Sequence, residues 1–231
     1  IVVRLVGSEM CIRDSFDLGL DATSIVGRTP WCIHPAEQVS DVPVVGGTKT
    51  PTLSKIKGAQ PDLVVMDRDE NPKSVHDWCV ANGLPTFVCD VRHPRDVPLM
   101  LRELGQAVNR SEAAEVHARA IEAMLRRAPD TNGRTALPLI WHRPLMAANG
   151  TTYAGNMLAC LGFNVPNIEP DGTGYPEVSP EIILQHGVTD VFLSSEPHEF
   201  TDEESRSLSE AFGNLIATPP RIHFIDGEDL T

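Results

Sequence analysis

One arrangement of helix, strand and acidic loop occurs twice in this chain, over residues 50–72 and 179–197. Each copy opens with Ser or Thr followed by Pro, which predicts a capped helix with proline at its first position. Each copy continues with an Asp, a short apolar strand and a loop that contains glutamate. Two matching α/β halves predict two lobes that face one another, with a ligand cleft at the strand ends.

The composition is that of an acidic globular protein. The 231 residues allow one large domain or two lobes, and a hydrophobic content of 41% is enough for a packed core. The formal net charge is -13, and no run of Lys and Arg occurs. We therefore expect no nucleic-acid partner. No stretch has the length of a transmembrane helix, so we expect a chain that does not span a membrane.

The cysteines do not form a metal-binding or redox motif. There are five of them, and none belongs to a Cys-x-x-Cys pair. This pattern gives no support to a zinc-ribbon or a thioredoxin-like site. Cys79 in a predicted helix and Cys89 in a predicted strand are expected to be small buried thiols. The odd number counts mildly against an extracytoplasmic location.

Residues 1–15 have no helical or strand periodicity that continues into the following chain. We interpret this segment as foreign to the natural protein, similar to translated adapter sequence, and leave it out of the fold prediction. The remaining chain predicts an N-terminal lobe at 16–110, truncated at its start. A backbone helix follows at 111–128, and a C-terminal lobe at 129–231, truncated at its end.

The lobes are predicted to be Rossmann-like, because helices alternate with short apolar strands in both halves. The fold class is thus α/β, with mostly parallel sheets joined by a single long backbone helix. Ser111 is a good N-cap for that helix, and two arginines occupy its last turn. Its predicted buried stripe consists of Ala113, Val116, Ala120, Ile121 and Met124.

Three aromatic residues at loop or strand-end positions indicate a ligand surface. Aromatic residues make up only 5% of the chain, yet Trp31, Trp141 and Tyr175 all lie where the cleft is predicted. Flat rings suit a large, rigid and partly apolar ligand. Core packing is the alternative for Trp141, because this residue ends an apolar strand.

The histidines suggest a different cargo. His34, His142 and His198 each lie in a loop after a predicted strand, where a cleft would gather them around a bare transition-metal ion. A metal-ion-binding protein is therefore an alternative. A cytoplasmic α/β enzyme with the same two-lobe plan is a further alternative. No acid-base or nucleophile pair occurs at a recognisable spacing, so we predict no catalytic residues and no enzyme.

One acidic residue in each copy of the repeat is a candidate for docking. Glu70 follows the first strand, and Glu181 lies in the first turn of the second helix. One exposed acid in each lobe would fit basic pockets on a two-fold symmetric partner. The alternatives are plain solvation of Glu70 and stabilisation of the helix dipole by Glu181.

Six short motifs then point to one family. They are Trp31-Cys32-Ile33-His34-Pro35, Val45-Gly46-Gly47-Thr48-Lys49, Pro61-Asp62-Leu63-Val64-Val65, Tyr175-Pro176-Glu177-Val178-Ser179, Leu193-Ser194-Ser195-Glu196-Pro197 and Ile225-Asp226-Gly227-Glu228. As a set they resemble the vitamin B12 and iron-siderophore class of periplasmic binding proteins. These proteins are the helical-backbone metal receptors of ABC importers.

The resemblance implies a non-enzymatic substrate-binding protein. It would bind a cobalamin-type corrinoid or a ferric siderophore between its lobes and deliver it to the permease dimer of an ABC importer. It would work as a monomer in the periplasm or another extracytoplasmic space, with its signal sequence lost and no cofactor of its own. The resemblance also implies that the first strand and most of the first helix are missing, which would leave a sheet edge open.

The resemblance places Tyr175 at a ligand-contacting ring, Trp31 in a cleft loop and Glu181 at a docking acid. The first-lobe docking position falls near Asp69, Glu70 and Lys73. Anionic siderophores usually require clustered cations, and the predicted cleft loops contain few, which favours a corrinoid. The predicted ligand contacts are Trp31, Cys32, His34, Arg68, Trp141, Arg143, Asn149 and Tyr175.

Overall fold

The computed structural model describes residues 3–127, 130–169 and 172–230. The chain divides into two compact units, Ile1–Val91 with Val97–Glu122 and Arg92–Asp96 with Ala123–Thr231. Each unit contains one four-stranded sheet with helices packed on it, which confirms the α/β class. None of the helices in the described residues is both long and apolar enough to cross a bilayer.

The first unit is built on a fully parallel sheet with the strand order β2-β1-β3-β4. Its strands are β1 (Leu5–Gly7), β2 (Ile25–Arg28), β3 (Leu63–Asp67) and β4 (Thr86–Cys89). Its helices are α1 (Glu9–Asp17), α2 (Ala36–Val39), α3 (Leu53–Ala59), α4 (Lys73–Ala81), α5 (Val97–Ala107) and α6 (Ser111–Leu125), whose last three residues fall in the second unit.

The second unit has the equivalent strand order β6-β5-β7-β8, in which only β6 is antiparallel to its neighbour. Its strands are β5 (Ala136–Trp141), β6 (Met146–Ala147), β7 (Asp190–Ser194) and β8 (Arg221–Ile225). Its helices are α7 (Tyr153–Cys160), α8 (Pro180–Gln185) and α9 (Asp202–Leu215).

The two copies of the repeat occupy the same position in the two sheets. Strands β3 and β7 each lie third in their sheet, and the preceding helices are α3 and α8. The backbone bonds also match. The carbonyl of Arg4 accepts from the amides of Asp62 and Leu63 at 2.7 and 3.2 Å, and that of Thr135 accepts from Thr189 and Asp190 at 2.8 and 3.1 Å. The two copies of the repeat therefore belong to two separate sheets.

Only one of the two repeat helices begins as its sequence predicts. Ser179 caps α8 by accepting a hydrogen bond from the amide of Ile182 at 3.3 Å, and Pro180 is the first helical residue. Helix α3 begins two residues later than predicted, and its N-cap Thr52 makes no side-chain bond. The reason is that Pro51 forms an antiparallel bridge with Gly46, so the chain is still extended there.

The structure corrects the prediction for residues 1–15. Strand β1 lies inside the first sheet, between β2 and β3, and α1 packs on it. Leu5 and Ile12 are fully buried in the first apolar core. This segment therefore supplies one strand of the first sheet, and no sheet edge is open between β2 and β3. The foreign origin of the segment stays a prediction.

The buried face of α6 also differs from the predicted stripe. Val116 and Met124 are 68% and 65% exposed, whereas Ala114 and Ala118 are fully buried. A Cβ atom built on Gly105 of α5 would lie only 2.3 Å from the Cβ of Ala114. Helices α5 and α6 therefore pack closely through small residues, and the larger apolar residues face outwards.

A buried carboxylate holds the start of β7. Asp190 is fully buried and accepts hydrogen bonds from Arg134 Nε at 2.8 Å, Thr189 Oγ1 at 2.8 Å and His223 Nε2 at 2.9 Å. Arg221 lies 3.5 Å away. Burial opposes ionisation, but the bonds from Arg134, His223 and Thr189 outweigh it and hold the pKa of Asp190 well below its usual range. The charged form therefore stabilises the folded state.

We expect Leu5→Ala to lower the free energy of unfolding by about 3 kcal/mol, because it leaves a cavity in the first core. Met10→Ala is the control, since Met10 is exposed in the adjoining helix. Urea unfolding followed by circular dichroism measures both. An unchanged midpoint for Leu5→Ala would contradict the place of β1 in the sheet and would support the foreign origin of residues 1–15.

We expect Arg134→Ala to destabilise the second unit by about 3 kcal/mol, because it removes the main partner of a buried carboxylate. Arg119→Ala is the control, since this exposed arginine forms an i,i+4 pair with Glu115 on the surface of α6. The depressed pKa of Asp190 stabilises the fold above its unfolded pKa of about 4, and this contribution falls as the pH drops further. Unfolding curves between about pH 7 and pH 2 should show a larger acid loss for wild type than for Arg134→Ala.

Candidate ligand-binding surface

The carboxyl ends of β5, β7 and β8 meet at one edge of the second sheet, because these three strands are parallel. Trp141 is the last residue of β5, and the loop after β7 contains His198. This edge is where open α/β sheets present their ligand-binding loops. A depression there is lined by Trp141, His142, Arg143, His198 and Glu204.

Aromatic rings form the wall of this depression. The ring of His198 lies 5.6 Å from that of Trp141 and is stacked on that of His142 at 5.9 Å. Phe200 supports both imidazoles from below through edge contacts at 4.9 and 6.2 Å. The three rings therefore form one continuous wall of flat side chains, and the buried Phe200 fixes its base.

Glu204 holds the histidine pair in place and was missed by the sequence analysis. His198 Nε2 lies 3.2 Å from both carboxylate oxygens, and His142 Nε2 lies 3.7 Å from one of them. Glu204 also forms a capping box with Thr201 at the start of α9. The bond from the Thr201 amide, followed by that from His198, lowers the pKa of Glu204. The Thr-x-x-Glu spacing in the sequence could have revealed the capping role, although not the contact with the histidines.

Trp141 belongs to the surface rather than to the core. Its side chain is 40% exposed, and its indole Nε1 donates to the carbonyl of Arg143 at 3.0 Å. This bond fixes the ring across the turn that follows β5. The exposed guanidinium of Arg143 is the only Lys or Arg side chain among the described residues that line the depression.

A second depression continues along the same edge beside Phe200. It lies over the ends of β7 and β8 and contains the exposed ring of Phe224. Its acidic members are Glu199 and Asp226, and Ser195 Oγ donates to Asp226 at 3.3 Å. The edge is therefore apolar with acidic borders.

Tyr175 lies beside the β6 edge of the second sheet. The carbonyls of Gly174 and Pro176 accept hydrogen bonds from Asn149 at 2.9 Å and Ala147 at 3.0 Å, which makes residues 174–176 a lateral extension of the sheet. The tyrosine side chain is 42% exposed. It is therefore presented on a segment that backbone bonds hold in place.

Asn149 is not available as a ligand contact. It is buried, its amide nitrogen donates to the carbonyl of Ile168 at 2.8 Å, and its side-chain oxygen accepts from the Thr151 amide at 2.9 Å. These bonds shape the turn that leads into α7. We therefore remove Asn149 from the predicted ligand set, because its polar atoms are used inside the protein.

In the first unit, the loop after β2 contains three predicted ligand contacts, of which two are exposed and one is buried. Trp31 is 60% exposed and its ring covers Gly47, where a Cβ atom would lie 2.9 Å from the ring. His34 is exposed. Cys32 is buried in the first core with its sulfur 3.2 Å from Thr29 Oγ1, so it also leaves the predicted ligand set.

The loop after β3 is ordered by its own carboxylates. Asp67 accepts from the amides of Asp69 and Glu70 at 2.8 and 3.0 Å, and Arg68 is paired with Asp90. Partial desolvation of the carboxylate by nearby protein atoms, together with the negative charge of Asp67, raises the pKa of Glu70. The positive charge of Lys49 opposes this shift. The glutamate side chain is exposed.

Glu181 has a hydrogen-bond partner in the N-cap residue of its helix. A hydrogen bond to Ser179 lowers the pKa of Glu181 at the start of α8. This residue is exposed, so its carboxylate is ionised at neutral pH. The structure is thus compatible with the helix-end alternative as well as with docking.

The three histidines of the metal-ion alternative do not form a metal site within the described residues. His142 and His198 are neighbours in the second unit, whereas His34 belongs to the first. Within residues 3–127, 130–169 and 172–230, no group of three His, Cys, Asp or Glu side chains has a geometry that could hold a metal ion.

Comparison with known proteins identifies the family. A family model described as periplasmic binding protein matches residues 10–210. A curated relative, the vitamin B12-binding protein of Pectobacterium carotovorum subsp. carotovorum (strain PC1), is 22% identical over 188 residues, which cover 78% of this chain and 67% of the relative.

Solved structures show the same fold. The periplasmic heme-binding protein of Vibrio cholerae matches with a TM-score of 0.80 and 16% identity, over 99% of this chain and 91% of that one. The periplasmic vitamin B12-binding protein of Vibrio cholerae matches with a TM-score of 0.76 and 14% identity, over 97% and 88%. With the family model matching most of its length, this chain belongs to the periplasmic binding proteins, which bind solutes and are not enzymes.

Proposed function

We propose that this protein is the substrate-binding component of an ABC importer and that its cargo is a bulky metal chelate, with a cobalamin-type corrinoid as the first candidate. The supporting observation is the depression formed by Trp141, His142 and His198 at the carboxyl edge of the second sheet. Family membership supports the transport role and an extracytoplasmic location. We further propose a monomer that delivers its cargo to a permease dimer.

The chemistry of this edge favours a cargo with large flat or apolar faces. One indole and two imidazoles line the depression, and the exposed ring of Phe224 lies farther along the edge. Rings of this kind gain most from contact with a rigid, partly apolar molecule. A ferric siderophore with several anionic groups would require more cations than Arg143 alone. Because the relatives include proteins named for vitamin B12 and for heme, a corrinoid and heme are the two main candidates for the cargo.

Other predicted contacts are retained as part of the proposal. Tyr175 and Trp31 are exposed rings, His34 is exposed, and Arg143 is an exposed cation. Arg68 is also exposed, but its ion pair with Asp90 means that a ligand would have to compete for its guanidinium. We therefore expect Arg68 to contribute less than the aromatic residues.

We expect Trp141→Ala to weaken binding of hydroxocobalamin about 30-fold, which corresponds to about 2 kcal/mol for loss of a central aromatic contact. Isothermal titration calorimetry measures the affinity. Trp78→Phe is the matched control, because Trp78 packs against the apolar cluster of the first unit under α4. The control should bind within about twofold of wild type.

Parallel titrations with hemin, a ferric siderophore and Zn²⁺ separate the cargo classes. Saturable binding of hemin without binding of hydroxocobalamin at micromolar concentration would overturn the corrinoid proposal and leave the importer role in place. Tight binding of Zn²⁺ alone, lost on substitution of His142 and His198, would support the metal-ion alternative instead.

We also propose Glu70 and Glu181 as contacts to the permease. Both carboxylates are exposed, and each copy of the repeat contributes one of them: Glu70 follows β3, and Glu181 lies in the first turn of α8. We expect Glu70→Arg and Glu181→Arg to reduce cobalamin uptake by cells about tenfold through charge repulsion at the permease. Cobalamin affinity of the purified variants should not change.

Glu203→Arg is the control for this experiment, because Glu203 is an exposed acid in the first turn of α9. Thermal melting of each variant tests whether the fold is retained. Normal uptake by correctly folded Glu70→Arg and Glu181→Arg proteins would exclude the docking role.

A further inference from the structure

The imidazole of His198 is held in one orientation by its neighbours in the second unit. Its Nε2 lies 3.2 Å from both carboxylate oxygens of Glu204, and the capping box at the start of α9 fixes that carboxylate in turn. Phe200 contacts the ring through an edge contact at 4.9 Å, and His142 stacks on it at an angle of 14°. Rotation of the ring would break the bond to Glu204, so Nε2 stays directed at the carboxylate.

Glu204 also determines which nitrogen of this ring carries the proton. The bond from the Thr201 amide, followed by that from His198, lowers the pKa of Glu204, so the carboxylate is ionised at neutral pH and only accepts hydrogen bonds. The Nε2 of a neutral His198 must therefore donate. The single ring proton lies on Nε2, and Nδ1 keeps an unshared electron pair.

Nδ1 of His198 is open to a ligand. Within residues 3–127, 130–169 and 172–230, this nitrogen has no hydrogen-bond partner, and no side-chain nitrogen or oxygen is buried without one. Nδ1 is therefore accessible from outside the protein. Because His198 lines the depression at the end of β5, a bound cargo can reach this nitrogen.

We propose that His198 is a specificity-determining residue, whose Nδ1 accepts a hydrogen bond from a carboxamide N–H of the cargo. Glu204 is the positioning residue that fixes the required tautomer. The inference rests on the proposed function, because it states which side groups the metal chelate must have. A corrinoid has acetamide and propionamide groups around its ring, whereas heme has propionates. A carboxylate has no N–H to donate and would leave Nδ1 unpaired, so the site discriminates against it.

Most other polar groups along this edge are also acceptors. Glu199 and Asp226 contribute carboxylates to the neighbouring depression. The indole N–H of Trp141 and the hydroxyl of Ser195 already donate within the protein. The guanidinium of Arg143 acts in the opposite direction, since it would attract a carboxylate. The edge as a whole therefore suits a cargo whose side groups donate hydrogen bonds.

The tautomer is measured without any cargo. Long-range proton–nitrogen correlation spectra of histidine-labelled protein at about pH 8, where histidine is mostly neutral, identify the protonated nitrogen of each ring. We expect His198 to carry its proton on Nε2 alone. Glu204→Gln should give a mixture of tautomers, because a carboxamide donates as well as accepts, and glutamine preserves the capping box.

Glu203→Gln is the matched control, because Glu203 is an exposed acid beside Glu204 in the first turn of α9. It makes the same change of charge and should leave the His198 signals as they are in wild type. A proton on Nδ1 of the wild-type ring, or the wild-type spectrum in Glu204→Gln, would overturn the proposal.

Calorimetry with hydroxocobalamin and its monocarboxylic acids tests the consequence for binding. Each acid has one propionamide group hydrolysed to a carboxylate. We expect wild type to bind at least one of these acids about 30-fold more weakly than hydroxocobalamin, and His198→Gln to reduce this preference to about threefold. Glutamine retains a donor to Glu204 but has no acceptor at the position of Nδ1.

Glu203→Gln should keep the wild-type preference, and thermal melting tests whether each variant is folded. An equal preference in folded His198→Gln and wild type would overturn the inference and leave the importer role in place. A change in the cobalt absorption bands on binding that His198→Gln abolishes would assign the nitrogen to metal coordination and overturn the inference as well.

Failure of the proposed cargo gives a different result. Absence of hydroxocobalamin binding at micromolar concentration would exclude the corrinoid. Hemin and hemin diamide then replace the cobalamin pair in the same titrations. Tighter binding of the diamide would support the role of His198, and tighter binding of hemin would overturn it.

Discussion

The parallel pairing of β5, β7 and β8 determines where the chemistry of the second unit lies. Three parallel strands must end at one edge, and the loops that follow them must cluster there. Trp141 and His198 come from different strands, yet this geometry brings their rings to 5.6 Å. The antiparallel β6 then returns the chain on the outer side of β5, where it supports the segment that presents Tyr175.

The opposite edge of the same sheet serves stability. Asp190 opens β7 and is buried among Arg134, Thr189 and His223. A buried carboxylate is tolerated only when its bonds are complete, so this group specifies how the strands begin. The two ends of these strands therefore have different roles. The amino ends hold the sheet together, and the loops after the carboxyl ends present exposed rings.

Local patterns predicted the elements well, and tertiary packing explains the errors. Cys89 was predicted to lie in a strand and Trp141 to end one, and these residues end β4 and β5, because both strands are apolar runs between clear turn signals. Strand β1 was missed because three residues show no period, and its place is set by pairing with β2 and β3. On α6, the periodicity could not show that the alanines, rather than Val116 and Met124, face α5.

The sequence by itself determined the class of the fold, its duplication and the family, because these depend on apolar spacing, turn residues and motifs that lie close together in the chain. Only the tertiary structure decided which polar residues are available to a ligand. Cys32 and Asn149 were predicted as ligand contacts but are buried, whereas Glu204, whose Thr-x-x-Glu spacing indicates only a helix cap, also contacts the histidine pair. Burial and contact are set by partners distant in the chain, which local patterns do not encode.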